Sequence, residues 1–213
     1  MIKSYSEMSL KDYYELRKIF DEDLEDIDLQ IKVIAFINDM EENEVLNLPL
    51  DKYAKMVESI EFLTELPKPK NKVKTHSFNI NGHKYRLMTD VSKMTAGQFI
   101  DYQTYLNNGL NYEYIMSCLF IPTSAKVYGD GYDVADVIND ILCLDIQTCI
   151  DVCFFFQKKY LTSIKHSLIY SALTITRILR KVPKEKKEEL MNLRKQIFQK
   201  VSEINGIGNT LLI

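Results

Sequence analysis

What this chain lacks narrows its chemistry first. No G-x-S-x-G elbow, no H-E-x-x-H helix and no glycine loop ending in G-K-[ST] occurs in its 213 residues. Serine-hydrolase, zinc-protease and P-loop nucleotide chemistry therefore have no recognisable carrier. Cysteine is scarce: Cys118, Cys143, Cys149 and Cys153 sit inside apolar helical patterns rather than at the loop spacings of a disulfide framework. They read as reduced thiols packed as small hydrophobes. Cys149 and Cys153 are spaced to share a helical face, but structural zinc usually takes one ligand pair from a tight knuckle in a turn, and this pair adjoins Phe154, Phe155 and Phe156. No metal, cofactor or catalytic residue is expected.

Long apolar runs are missing too. The most apolar window, about residues 161–179, is interrupted by Lys165, His166 and Arg177, which argues against a membrane span and for a buried core helix. The first residues, MIKSYSEMSLKDYY, carry acids and tyrosines where a secretory signal needs an apolar stretch, so the chain is expected to stay in the cytoplasm where it is made. The glycine-bearing loop YGDGYD at 128–133 has neither the D-x-[DN]-x-[DN]-G ladder of a calcium loop nor its terminal glutamate, and reads as a turn feeding a helix.

What is present is an ordinary globular composition, 46% hydrophobic and 27% charged, with a net charge of −3 that conceals a gradient. Residues 1–66 hold 7 Lys/Arg against 17 Asp/Glu, net −10, whereas residues 157–213 hold 12 against 4, net +8. Such polarity suits docking of one end on the other, within or between subunits, or an acidic partner for the basic end. Lys181, Lys184, Lys186, Lys187, Arg194, Lys195 and Lys200 could track phosphates. Interleaved Glu185, Glu188 and Glu189 dilute that field, and only Phe198 offers a stacking ring, so nucleic acid is disfavoured.

Along the chain, Ser9-x-x-Asp12 opens a helical pattern, the acids of 21–28 form a solvated connection, and Pro49 starts an amphipathic helix over about 50–66. PKPKNKVK at 67–74 cannot continue a helix and marks a linker. Beyond it the period changes to 2 around Asn81-Gly82, which predicts one β-hairpin at about residues 75–89 with Phe78 facing Tyr85 and Ile80 facing His83. Thr95-x-x-Gln98 fits a capping box before the next helix, Tyr112 to Phe120 forms another, and residues 145–181 form a long helix buried at its first half. From Pro183 a last helix carries Leu190, Leu193, Ile197, Val201 and Ile204 in a narrow apolar seam suited to a partner helix. The expected fold class is α+β, mainly helical: a helical bundle with one hairpin and a protruding C-terminal helix. Its divisions are an acidic N-terminal lobe (1–66), the linker (67–74), a hairpin-plus-helix core (75–181) and a basic C-terminal helix and tail (182–213).

The succession LPLDKYAKMVESIEFLTELP, FNINGHKYRL, MTAGQFIDYQTYL, a tyrosine-rich helix ending LFIP, GYDVADVINDI and DVCFFFQKKY resembles small phage proteins classed as tail assembly chaperones. The resemblance covers about residues 48–160. It implies a non-enzymatic protein that escorts the tape measure or another aggregation-prone tail component in the host cytoplasm, offering amphipathic helices to the client. The seam from Leu190 to Ile204 is the expected contact surface. Two other readings stand beside it: a structural virion subunit, such as a connector, neck or baseplate-associated ring built through the opposite-charge ends, and a small enzyme with a cysteine nucleophile.

Overall fold

The computed structural model describes residues 2–70, 73, 75–107, 112–179 and 182–207. The chain divides into two compact units. One holds the chain up to Met88 together with Met94–Cys153, and the other holds Thr89–Lys93 together with the chain from Phe154 on. The described elements, in order, are α1 (Leu10–Phe20), α2 (Asp26–Asn38), α3 (Glu42–Leu46), α4 (Leu50–Ser59), β1 (Ser77–Ile80), β2 (His83–Leu87), α5 (Ala96–Asn107), α6 (Tyr112–Ser117), β3 (Phe120–Pro122), α7 (Val134–Ile141), α8 (Ile146–Leu179) and α9 (Lys184–Ile207). The fold is thus α+β and mainly helical, with a long C-terminal helix.

Local chemistry places the helix starts. The Ser9 hydroxyl accepts from the Asp12 N–H at 3.0 Å and donates to the Asp12 carboxylate at 2.7 Å, closing α1 at its N-terminus. Thr95 and Gln98 form the reciprocal box expected of them: the Gln98 N–H donates to Thr95 Oγ1 at 3.2 Å, and the Thr95 N–H donates to Gln98 Oε1 at 3.3 Å. Asp133 caps α7 by accepting the Ala135 N–H at 2.9 Å. Asp26 and Asp28, read from sequence as part of a solvated connection, instead occupy the first turn of α2, where the helix dipole favours negative charge.

The first unit's core is assembled around a small sheet. Asn81 and Gly82 both take positive φ, 49° and 83°, as a type I′ turn requires, and β1 pairs with β2 in the expected register, Phe78 opposite Tyr85 and Ile80 opposite His83. The hairpin does not stand alone, because β3 adds antiparallel to β2 with Leu87 opposite Phe120. Sequence periodicity extends the preceding helix to Phe120. In the structure the helix ends at Ser117 and the apolar run finishes as a three-residue strand, placing Phe120 over Phe78 at a ring separation of 4.9 Å. A lone hairpin is marginal in water, and the third strand gives its apolar face a partner.

A second organiser ties together the N-termini of α1 and α8. Ser9 and Asp145 form an antiparallel bridge. The Leu10 N–H donates to Leu144 O at 2.7 Å, and the Ile146 N–H donates to Met8 O at 2.9 Å. Met8, Leu10 and Ile146 are fully buried at that junction, each contributing about 1.5–3 kcal/mol of apolar transfer free energy. Pro67–Lys70, the start of the prolyl segment, is held in the same unit: Gln147 Nε2 donates to Lys68 O at 3.0 Å, and the Lys70 N–H donates to Asp151 Oδ1 at 2.5 Å. The rest of that segment includes residues outside the described ones.

Helix α8 begins in the first unit and continues in the second. Ile146, Cys149, Ile150, Val152, Cys153 and Phe156 are buried, matching the expectation for its first half. The window 161–179 departs from expectation, since among its residues only Ala172 and Ile175 are buried. Its apolar residues alternate with Lys, Ser and Thr around the helix, so one narrow stripe is covered rather than the whole surface. No helix among the described residues is long and apolar enough to cross a membrane. The last helix also runs further than glycine content suggests, passing Gly206 to reach Ile207, while residues 208–213 lie outside the described ones.

Candidate functional site

The five residues expected to form a contact seam lie on α9, in the second unit, in different environments. Leu193 is 46% exposed, Leu190, Ile197 and Ile204 are half-buried, and Val201 is buried. Successive α-helical residues are 100° apart, so Leu190, Ile197 and Val201 fall close together on the helix wheel and Leu193 lies at their edge. On the opposite flank Met191 and Phe198 are also exposed, and the Arg194 guanidinium lies 5.4 Å from the Phe198 ring centre. Large apolar side chains in solvent continue on α8 of the same unit, where Tyr170, Leu173 and Ile178 are all exposed. Sequence periodicity marks the seam, but it gives no signal for which edge faces water.

A convergent polar cluster, which sequence reading does not reveal, occupies the first unit. Asp140, on the last turn of α7, is 6% exposed and collects three donors from the hairpin. The Tyr85 hydroxyl donates to Oδ2 at 2.5 Å, His83 Nδ1 lies 2.6 Å from the same oxygen, and Asn81 Nδ2 donates to Oδ1 at 3.0 Å. Burial acts to raise the Asp140 pKa, but the hydrogen bonds from Tyr85, His83 and Asn81 together outweigh it and hold the carboxyl below its ordinary value. Burial and the same carboxylate push the Tyr85 phenol up. Asn81 Nδ2 also lies 3.4 Å from the exposed Cys143 Sγ. A turn asparagine and a strand with His and Tyr two apart are the sequence traces of this cluster. Their partner lies more than fifty residues downstream, where no local pattern points to it.

Chemically, this arrangement fastens hairpin to helix. A carboxylate already accepting three hydrogen bonds is satisfied. The remaining cysteines are placed as apolar packing: Cys118, Cys149 and Cys153 are buried. Desolvation pushes Cys118 and Cys153 up to about 12 and Cys149 well above its usual range, which favours the thiol over the more nucleophilic thiolate at each. Among the described residues no three His, Cys, Asp or Glu side chains are grouped as a metal ion requires. Gly129 and Gly131 of the YGDGYD loop take positive φ, 75° and 71°, and Tyr128 fixes the loop by donating to Asp101 Oδ2 at 3.0 Å. No protein-family model, no curated protein and no solved structure matches this chain.

Proposed function

We propose that this chain is a non-enzymatic phage tail assembly chaperone-like protein, which binds apolar helical stretches of a tail component such as the tape measure during virion assembly. The observation that carries the reading is the set of large apolar side chains left in solvent on two long helices. These are Tyr170, Leu173 and Ile178 on α8 and Met191, Leu193 and Phe198 on α9, each 42–67% exposed. Scattered single apolar residues are normal on a surface. Tyr170 with Leu173, three apart, and Met191 with Phe198, seven apart, each share a face of their helix and offer the apolar ridges used in helix-to-helix recognition. Interleaved Lys and Glu on α9, and Ser, Thr and Arg177 on α8, keep polar surface between them in the absence of a client.

Co-expression with the tape measure protein of the same phage tests the reading. Leu193→Asp changes an exposed residue, so it should abolish co-purification and leave the circular dichroism melt unchanged. Undiminished co-purification of Leu193→Asp, and of Leu193→Asp combined with Ile197→Asp, would remove α9 as the contact surface. Mass spectrometry of purified particles should lack the chain. Stoichiometric copies in the particle would favour a structural subunit over a chaperone.

A further inference from the structure

The acidic lobe holds a groove that none of the foregoing uses. It measures about 530 Å³ and is lined by Phe20 of α1, by Leu29 and Val33 of α2, and by Val57, Ile60 and Leu63 of α4 and the 3-10 turn that follows it. The floor rests on the cluster of Ile31, Ile34, Ala35 and Val45, against which Val57 and Ile60 pack, and α4 is pinned to α2 by the Tyr53 hydroxyl donating to Gln30 Oε1 at 2.6 Å. Amphipathic α4 nevertheless buries none of its residues fully. Its apolar side, Met56 and Val57 with Ile60 just past its end, is only half covered, and Phe20 on the groove's wall is exposed. An apolar trough flanked by two helices takes the ridge of a third helix, with side chains at i, i+3 or i+4 and i+7.

The charged residues around the trough select the occupant. Asp26, Glu58 and Glu61 line it, and no Lys, Arg or His does. Among the described residues none of the three carboxylates forms an ion pair; nearby acids Glu15, Glu22 and Glu65 are paired with Lys18, Lys32 and Lys68. The lobe is net −10 over residues 1–66, so its field draws cations to the groove. We propose that this groove docks a cationic amphipathic helix of a partner polypeptide, its apolar ridge on Leu29, Val57 and Leu63 and its flanking Lys or Arg on Asp26, Glu58 and Glu61. The inference rests on the reading of the chain as a protein-binding molecule and names the chemistry of a segment it would hold.

The test needs no client, so it fails or succeeds apart from that reading. Three fluorescein-labelled synthetic peptides of about 14 residues, long enough to form a helix on binding, are titrated against the intact chain. One is an amphipathic Leu/Lys helix, the second its Leu/Glu counterpart, and the third a scrambled Leu/Lys sequence without an apolar face. The amphipathic Leu/Lys peptide should bind at least about tenfold tighter than either other. In Glu58→Lys/Glu61→Lys it should lose at least about tenfold while the Leu/Glu peptide gains. Glu42→Lys/Asp51→Lys, the same charge change at exposed positions that do not line the groove, should hold the affinity within about twofold. All four substituted positions are exposed, so the fold is retained. Equal binding of the scrambled peptide, or equal loss in both double variants, would overturn the proposal. It would also fall to a concentration-dependent dimer in sedimentation that Glu58→Lys/Glu61→Lys abolishes, because the groove would then belong to a second copy.

Discussion

The Tyr85 hydroxyl donates to Asp140 Oδ2 at 2.5 Å, joining a strand residue to a helix residue fifty-five positions away, both nearly excluded from water. Because the acceptor is a buried charge, its removal strands the donor as well. Tyr85→Phe, which keeps the ring, should cost about 1–2 kcal/mol and Asp140→Ala about 2–4 kcal/mol in urea unfolding. A double variant costing the sum of the two would show that the pair is not coupled.

The same carboxylate sets an acid dependence. Burial opposes ionisation of Asp140, but the hydrogen bonds from Tyr85, His83 and Asn81 prevail and depress its pKa in the folded state. A depressed folded pKa contributes stability that is fully present above the unfolded value, about 3.9, and lost as pH falls through the folded one. The melting-temperature gap between the parent chain and Asp140→Asn should therefore close as pH falls below about 4. A gap that stays open through the acid range while the chain remains folded would contradict the assignment.

Gly82 holds φ at +83°, and the position a Cβ would occupy has no neighbour within 4 Å. Space is therefore no obstacle to a side chain, and only the backbone conformation opposes one. Gly82→Ala should cost about 1–2 kcal/mol from the left-handed penalty alone. Gly82→Asn should recover part of it, since asparagine tolerates that region. Equal losses for both, read from thermal melts, would mean that the turn type is not what the φ values indicate.

Features decided within a few residues were legible in the sequence. The hairpin register follows from Asn81-Gly82 because only such residues accept two positive φ values in a row, and the Ser9 and Thr95 caps follow because their partners are three positions on. Features decided by distant partners were not. Phe120–Pro122 extends an apolar helical run and becomes a strand only because β2 has a free edge there. Asp140 looks like any polar residue of an amphipathic helix until Asn81, His83 and Tyr85 are brought to it. In the candidate site, the spacing of Leu190 to Ile204 fixes which residues share a face, while the burial of Val201 beside exposed Leu193 depends on what surrounds the helix.

Thiol reactivity should separate the four cysteines. Cys143 is exposed, whereas Cys118, Cys149 and Cys153 are buried with their pKa values raised by desolvation. A thiol must be both reached and ionised to react. Ellman's reagent at pH 8 should therefore titrate one thiol of the native chain quickly and the other three only on unfolding, and Cys143→Ser should remove the fast phase. A fast phase surviving that substitution would show a reactive thiol where burial forbids one, and would revive the reading of a cysteine-dependent enzyme.

Gln98 closes two interactions with one amide, and the two ends can be tested against each other. Its Oε1 accepts the Thr95 N–H at 3.3 Å, completing the cap of α5, while its Nε2 donates to the Cys118 carbonyl at 2.6 Å, joining α5 to the segment just before β3, and the residue is 1% exposed. Thr95→Ala removes one cap hydrogen bond and should cost about 1 kcal/mol. Gln98→Glu retains the acceptor for the cap but replaces a donor with a buried negative charge against a carbonyl, so it should cost about 2–4 kcal/mol at neutral pH. Burial raises the folded pKa of the introduced carboxyl above its unfolded value. Its protonated form regains an O–H donor for Cys118 O, so the variant's deficit should shrink as pH falls toward 4 while the Thr95→Ala deficit stays constant. Deficits that run parallel over that range would mean that Gln98 acts through its cap alone and that the link to Cys118 contributes nothing to stability.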